Sequence, residues 1–271
     1  MKVLVIGAGP AGVMAALRAA ELGASVTLVA RGAFGGMAAT DGPVPVRTLA
    51  HAARLIRGAR QLGRYGISVS EPRLDYARLL ARAREIVGDV AKHSTLRSEV
   101  ERLGVALHEN VGTVRFVGPH AVEAENGLRF EADRFVLCAG GIARRLTVPG
   151  AEFTATHSDA WGLDEVPRSL LVVGGGMTGL QVASIFHAFG SRVQVFQRGP
   201  RILPDEDHDV AIEVAAQLRA SGMEVREGFG GIDRFEKTAD GVRMLFSKDG
   251  RQDTAEASLA VVAIGWMADT T

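Results

Sequence analysis

The sequence predicts an α/β fold in two similar halves, each a parallel sheet with helices followed by an antiparallel β-meander. Three observations carry that expectation. A unit of thirty residues occurs twice, 167 positions apart, as VLVIGAGPAGVMAALRAAELGASVTLVARG at 3–32 and LLVVGGGMTGLQVASIFHAFGSRVQVFQRG at 170–199. Each copy runs through an apolar stretch, GxGxxG, an apolar-rich helix, a turn glycine (Gly23, Gly190) and a second apolar stretch. That is the strand–helix–strand order of a Rossmann-like dinucleotide-binding unit. After each copy come alternating segments, punctuated by Asn126-Gly127 and Asp249-Gly250, which read as hairpins.

The elements follow in order. Residues 2–6 are a strand, 10–22 a helix and 26–29 a second strand, and 31–45 reads as a loop rich in Gly and Pro. Leu49, Ala52, Ala53, Ile56 and Ala59 recur at helical spacing and predict a helix over 46–65. Asp75 is an N-cap candidate for one helix running to about Arg102. Alternation predicts strands at 106–109, 113–117, 121–124 and 128–131, and an apolar run predicts a buried strand at 135–139, ending in Gly140-Gly141. Pro149-Gly150 and a weakly patterned stretch to Pro167 place the domain division, giving 1–149 and 150–271. In the second half a helix is expected over 210–221, after Pro204 and the acids Asp205, Glu206, Asp207 and Asp209, where its dipole favours negative charge. A strand at 224–227, a meander at 232–236, 242–247 and 253–257, and a last strand at 259–264 before Gly265 complete the reading.

Composition narrows the function classes. Thirty-one basic residues balance thirty-one acidic ones, so no field favours nucleic acid or an anionic membrane. The apolar runs are far shorter than the roughly 18 residues of a membrane span. Met1 leads directly into the first strand, so no signal peptide and a cytoplasmic location are expected. Cys138 is the one cysteine, which excludes an intrachain disulfide; on a buried strand it reads as a small hydrophobe. Histidines 51, 93, 108, 120, 157, 187 and 208 lack HxxxH or HExxH spacing, so no metal site is expected.

The two GxGxxG loops carry the chemistry. Gly7 turns the chain tightly, Gly9 lets backbone approach a pyrophosphate, and Gly12 lets the helix pack on the strand. Pro10 and Ala11 open the helix, whose first N–H groups point at the anion. Gly174, Gly175, Gly176, Met177, Thr178 and Gly179 repeat the arrangement. The end of the second strand, where a ribose-binding carboxylate is expected, holds Ala30 in the first unit and Gln197 in the second. Ala30 offers no side-chain hydrogen bond. Gln197 can bond ribose hydroxyls without repelling a 2′-phosphate, and Arg198 and Arg201 beside it could pair with one, which slightly favours NADPH. A solvated surface turn accounts for both arginines equally well.

On these motifs, in this order, the chain resembles the flavoprotein disulfide reductases, the class I pyridine nucleotide-disulfide oxidoreductase family of dihydrolipoamide dehydrogenase, glutathione reductase and mercuric reductase. The resemblance covers the whole chain: the GAGPAG unit, Gly35-Gly36 and the helix after it, 136–141 where the family has ATG, the second unit, and 262–265. It implies FAD in the first half and NAD(P)H in the second, with hydride delivered to the flavin N5. It implies FAD contacts at Gly7, Gly9, Pro10, Ala11, Gly12, Ala30, Arg31, Gly35, Gly36, Met37 and Arg47, adenine contacts near Thr113 and Val114, and cofactor contacts at Ala139, Gly140 and Gly141. The implied NAD(P)H contacts are Gly174, Gly175, Gly176, Met177, Thr178, Gly179, Gln197, Arg198 and Gly265.

The departures from the family decide the expected chemistry. The family loop GGxCxxxxCxPxK is filled here by 35–47, with Ala38 and Pro43 at the redox cysteine positions and Arg47 at the lysine. Gln181 stands where glutathione reductase has a glutamate. Neither Ala nor Pro supplies a thiolate, so thiol–disulfide turnover is not expected, and no side chain is assigned a catalytic role. Family members are homodimers that continue into a closing strand and a dimerisation domain, whereas this sequence stops at Thr271. Two readings stand. One is an FAD-dependent NAD(P)H oxidoreductase passing electrons to a small-molecule acceptor such as a quinone, a dye or oxygen. The other is an inactive or partner-dependent dinucleotide-binding scaffold, a fragment of a longer flavoprotein.

Overall fold

A computed structural model describes residues 1–270, with Thr40 described in its backbone only. The chain opens with β1 (Lys2–Ile6), α1 (Pro10–Glu21), β2 (Ser25–Val29), α2 (Gly36–Thr40) and α3 (Pro43–Gln61). A 3-10 turn at Leu62–Tyr65 precedes α4 (Tyr76–Lys92), α5 (Thr95–Arg102) and β3 (Ala106–His108). Then come β4 (Val114–Gly118), β5 (Ala121–Ala124), β6 (Arg129–Glu131), β7 (Arg134–Leu137) and β8 (Gly141–Ala143). The second repeat is led in by β9 (Ala155–Thr156) and α6 (His157–Ala160), and comprises β10 (Ser169–Val173), α7 (Met177–Phe189), β11 (Arg192–Gln197), α8 (His208–Ala220) and β12 (Glu224–Glu227). The chain ends with β13 (Gly231–Thr238), β14 (Gly241–Lys248), β15 (Arg251–Ala257), β16 (Leu259–Val262) and β17 (Trp266–Ala268).

Two compact units form. The first gathers Met1–Pro45, Ala83–Ile142 and the chain from Ala268 on. Its parallel sheet has the order β3-β2-β1-β7, beside an antiparallel sheet β4-β5-β6. β1 sits between two neighbours in register, Val5 facing Leu28 and Val136, and its middle three residues are buried. Strands buried on both faces read as unbroken apolar runs, which is why VLVI carries no alternation. Helix α1 covers this sheet through Gly12, Val13, Ala16 and Leu17, one stripe at helical spacing.

The second unit gathers Val46–Arg82 and Ala143–Met267. Its parallel sheet has the order β12-β11-β10-β16-β9, with the meander β13-β14-β15 alongside. All five residues of β10 are buried. Phe196, Phe229 and Phe246 meet edge to face with ring centroids 5.4, 5.4 and 5.6 Å apart, closing the core under the meander. The expected α/β class with two parallel sheets and meanders is therefore what the chain adopts.

Several local expectations need correction. The segment 31–45 is not all loop, because α2 lies inside it and α3 begins at Pro43, a residue whose fixed φ suits a first helical turn. The long helix expected over 75–102 is two helices, broken where Ser94 takes an extended conformation (φ −68°, ψ 113°) as the N-cap of α5. β7 is shorter than expected and is a sheet edge, so Leu137 is 65% exposed rather than buried. The weakly patterned stretch before Pro167 contains α6, capped reciprocally by Thr156 and Asp159. Chain contacts do not divide at one position near 149. Leu49 and Ala53 of α3 and Tyr76 and Leu80 of α4 pack into the second unit's core with Leu180, Ala183 and Phe186, because their apolar stripes find burial there. No helix among the described residues is long and apolar enough to cross a membrane.

Candidate dinucleotide-binding sites

In the first unit the three glycines of the loop do different work. Gly7 has φ 107°, its N–H donates to the Val29 carbonyl at 2.8 Å, and a side chain there would strike the Cys138 carbonyl. A side chain at Gly12 would strike the Gly7 carbonyl. Packing alone demands both glycines. Gly9 differs: a Cβ there would meet no protein atom within 4 Å. The space in front of Gly9 is open, so packing does not demand a glycine there. Gly9 is also the N-cap of α1, with no side-chain cap bond and no acidic residue in the first turn. The first N–H groups, including those of Ala11 and Gly12 behind Pro10, give that opening a positive potential.

The Gly35-Gly36 pair lies directly on this cradle. Gly35 donates its N–H to the Ala8 carbonyl at 2.9 Å, and a methyl at Gly36 would stand 2.9 Å from the Gly9 Cα. Both take positive φ, 102° and 53°, where glycine is favoured. Met37, next along α2, is exposed. Ala30 is buried, its N–H bonded to the His108 carbonyl and its carbonyl to the Val111 N–H, so its methyl belongs to the core. The carbonyls of Arg31 and Gly32 accept from Gly112 and Asn110, which brings Thr113 and Val114 beside the end of β2. Both Thr113 backbone groups are engaged with Glu125, at 3.0 and 2.8 Å. Ala139 and Gly140 are exposed past the carboxyl end of β7, and Gly141 opens β8. Cys138 lies just past β7 rather than on a buried strand, half-buried against the Gly7–Gly12 turn.

Glu109 is the residue that sequence reasoning missed. It accepts the Phe34 N–H at 2.6 Å and pairs with Arg97 at 2.7 and 2.8 Å, while the Arg97 guanidinium lies 4.9 Å from the Phe34 ring centre. Burial alone would push the Glu109 carboxyl up, but the bonds from Arg97 and Phe34 and the Arg97 charge outweigh it and hold the carboxyl below the usual range. The loop after β2 is thereby pinned. The available signal was an acid directly after a strand that pairs with β2.

Arg47 is exposed on α3, in the part of the helix that belongs to the second unit. Ala38 is half-buried on α2, and Pro43 is exposed at the start of α3.

The second unit builds the same cradle. Gly174 has φ 112° and donates to the Phe196 carbonyl at 2.8 Å; a side chain there would meet the Ala263 carbonyl, and one at Gly179 the Gly174 carbonyl. Gly176 again faces open space, as the uncapped N-cap of α7, followed by the exposed Met177 and half-buried Thr178. The Gln197 Oε1 accepts the Gly175 N–H at 2.8 Å. The Leu203 N–H closes onto the Gly175 carbonyl at 2.8 Å, and a methyl at Gly175 would stand 2.8 Å from Ile202. Of the two readings of Arg201, phosphate partner or surface turn, the turn is what its bonds show: it donates to the carbonyls of Leu203 and Pro204 at 2.6 and 2.7 Å, bracing a turn in which Leu203 has φ 48°. Arg198 is exposed. Gly265, at φ 107° after β16, borders open space, and Gln181 lines an apolar groove of 340 Å³ with Ala50, Ser184 and Leu218. Among the described residues no three His, Cys, Asp or Glu are placed to hold a metal ion.

Two glycine cradles, each close-packed at its outer glycines and open at the central one, define a chain of two Rossmann-type dinucleotide-binding units. The chain belongs to the pyridine nucleotide-disulphide oxidoreductase family, whose model matches residues 1–271. It is 32% identical to the dihydrolipoyl dehydrogenase of Thermus scotoductus, over 97% of this chain and 56% of that protein. It is 25% identical to that of Acholeplasma laidlawii, over 99% and 79% respectively. To the mercuric reductase of Lysinibacillus sphaericus it is 27% identical, over 97% and 47%. The fold is shared with the HOCl-induced flavoprotein disulfide reductase RclA from Escherichia coli, at TM-score 0.81 and 22% identity, covering 100% of this chain and 58% of that one. The chain thus spans roughly half of most of these proteins.

Proposed function

We propose that the chain is the dinucleotide-binding part of an FAD-dependent NAD(P)H oxidoreductase that passes electrons to a small non-thiol acceptor such as a quinone, a dye or oxygen. The observation that carries this is the pair of open glycines, Gly9 and Gly176, each at the uncapped start of a helix. Family membership supports FAD in the half built on 1–149 and a pyridine nucleotide in the half built on 150–271. FAD, when bound, supplies a two-electron carrier that takes hydride from a reduced nicotinamide. The protein's own part is to bind and orient. The starts of α1 and α7 present N–H groups to the diphosphates, Gly36 packs on Gly9, and the Gln197 NH2 offers a donor to a ribose hydroxyl. Hydride transfer between two held coenzymes needs geometry rather than a protein acid or base. Ala38 and Pro43 at the redox cysteine positions support an acceptor other than a disulfide. Gln197 and the exposed Arg198 favour NADPH slightly, and Arg201 adds nothing to that preference. A cytoplasmic location goes with this reading.

The test is anaerobic titration of the purified chain reconstituted with FAD. The expected result is a yellow protein that bleaches with NADPH and regains colour with a quinone but not with lipoamide. Binding of neither coenzyme, or turnover of lipoamide, overturns the reading. Leu137, 65% exposed on the edge strand β7, favours a second reading, a scaffold that a partner chain completes. Binding of both coenzymes without bleaching is the outcome that reading requires.

A further inference from the structure

We propose that Arg31 and Asp269 form a latch across the mouth of the first cradle, which an entering dinucleotide opens by drawing the Arg31 guanidinium onto its diphosphate. The inference rests on reading that cradle as the FAD site. In the order β3-β2-β1-β7 the strands are parallel, so their carboxyl ends lie side by side. The Gly7–Gly12 turn leaves the middle strand, β1. Arg31 stands just past β2 on one side. On the other side, past β7, the Asp269 N–H donates to the Gly140 carbonyl at 3.1 Å. Arg31 Nη1 and Asp269 Oδ2 meet at 2.9 Å. The ion pair therefore bridges two strand spacings, roughly 10 Å, over the end of β1.

A dinucleotide in this cradle has to lie along the same line, because its diphosphate faces the start of α1 and its two ends reach toward β2 and β7. The Arg31 backbone cannot retreat, since its carbonyl and those of Ala30 and Gly32 are bonded to Gly112, Val111 and Asn110. Its side chain can turn, being 57% exposed, while that of Asp269 is 12% exposed. Asp269 and a diphosphate are both anions competing for one guanidinium. The diphosphate carries the larger charge and also takes the N–H groups of α1, so it draws Arg31 away from the Asp269 carboxylate. Occupancy of the cradle is thereby coupled to the Arg31–Asp269 ion pair.

The experiment measures FAD affinity of the full chain by flavin fluorescence and calorimetry, with thermal melts to confirm folding. Asp269→Asn removes the competitor, so FAD should bind about two- to fivefold more tightly, the factor a partly exposed ion pair commands. Arg31→Met should weaken FAD by about tenfold, the loss of one charged diphosphate contact, and Asp269→Asn added to it should change nothing more. Unchanged or weaker FAD binding in Asp269→Asn overturns the latch, weaker binding marking Asp269 as a ligand instead. If the unmodified chain binds no FAD, the reading of the cradle has failed, a different result from a cradle that binds FAD and ignores Asp269.

Discussion

The Gln197 side-chain carbonyl holds the Gly175 N–H at 2.8 Å, so the residue at the end of β11 is tied to the cradle it borders. A glutamate at 197 keeps that acceptor and adds a negative charge where a 2′-phosphate would come. Gln197→Glu should therefore weaken NADPH by about tenfold and leave NADH within about twofold, measured by calorimetry on folded protein. Equal losses for both would mean that residue 197 only shapes the turn.

The two arginines beside it should separate. Arg198 is exposed, and Arg198→Glu should weaken NADPH more than NADH without moving the melting temperature. Arg201 braces the carbonyls of Leu203 and Pro204, so Arg201→Ala should cost about 1–2 kcal/mol of stability and weaken both coenzymes alike. A stable Arg201→Ala variant that loses NADPH alone would reverse these assignments.

Glycines in one loop should fail for different reasons. Gly9→Val fills open space, so the protein should fold normally and bind no FAD. Gly7→Ala drives a methyl into the Cys138 carbonyl at φ 107°, so it should lower the melting temperature outright. Thermal melts paired with FAD titrations distinguish the two. A Gly9→Val variant with full FAD content would remove the first cradle from the site.

Glu109 predicts a pH dependence with a definite sign. Its carboxyl is held below the ordinary range in the folded state, so its contribution to stability is present above the unfolded value of about 4.3 and fades as pH falls through the lower folded value. Urea midpoints between pH 7 and pH 3 should fall less steeply for Glu109→Gln than for the parent. Glu109→Gln should also loosen the loop at Phe34 and weaken FAD. Parallel pH profiles would show that the Arg97–Glu109 pair contributes nothing on folding.

Tyr76 should be better off without its oxygen. The hydroxyl is buried with no hydrogen-bond partner among the described residues, and burial, with the Asp164 charge second, pushes its pKa up to about 12. Its ring packs edge-on to Phe189 at 5.9 Å, a contact phenylalanine keeps. Tyr76→Phe should raise stability by about 1 kcal/mol in urea unfolding, and a loss of stability would reveal a partner for the hydroxyl.

The fold was legible wherever local pattern and burial agree. Apolar runs, GxGxxG and turn glycines identify β1, α1 and β2, and their repeats β10, α7 and β11, because each signal is complete within thirty residues. Helix breaks were not legible, since Ser94 reads equally well inside a polar helix and as a cap. The open glycines were legible too, but not their distinction from Gly7 and Gly12. That distinction depends on the Cys138 carbonyl and on which atoms surround each Cα.

Sequence by itself determined the pair of cradles, the absence of cysteine at 38 and 43, and the order of elements, because each depends on residue type at fixed spacing along the chain. Only the tertiary structure decided that Arg201 is spent on its own turn, that Glu109 pins the loop at Phe34, and that Asp269 meets Arg31 from 238 positions away. The physical reason is common to all three. A charged side chain takes its role from the polar groups it meets in space, and those are chosen by sheet order and loop path rather than by its neighbours in sequence.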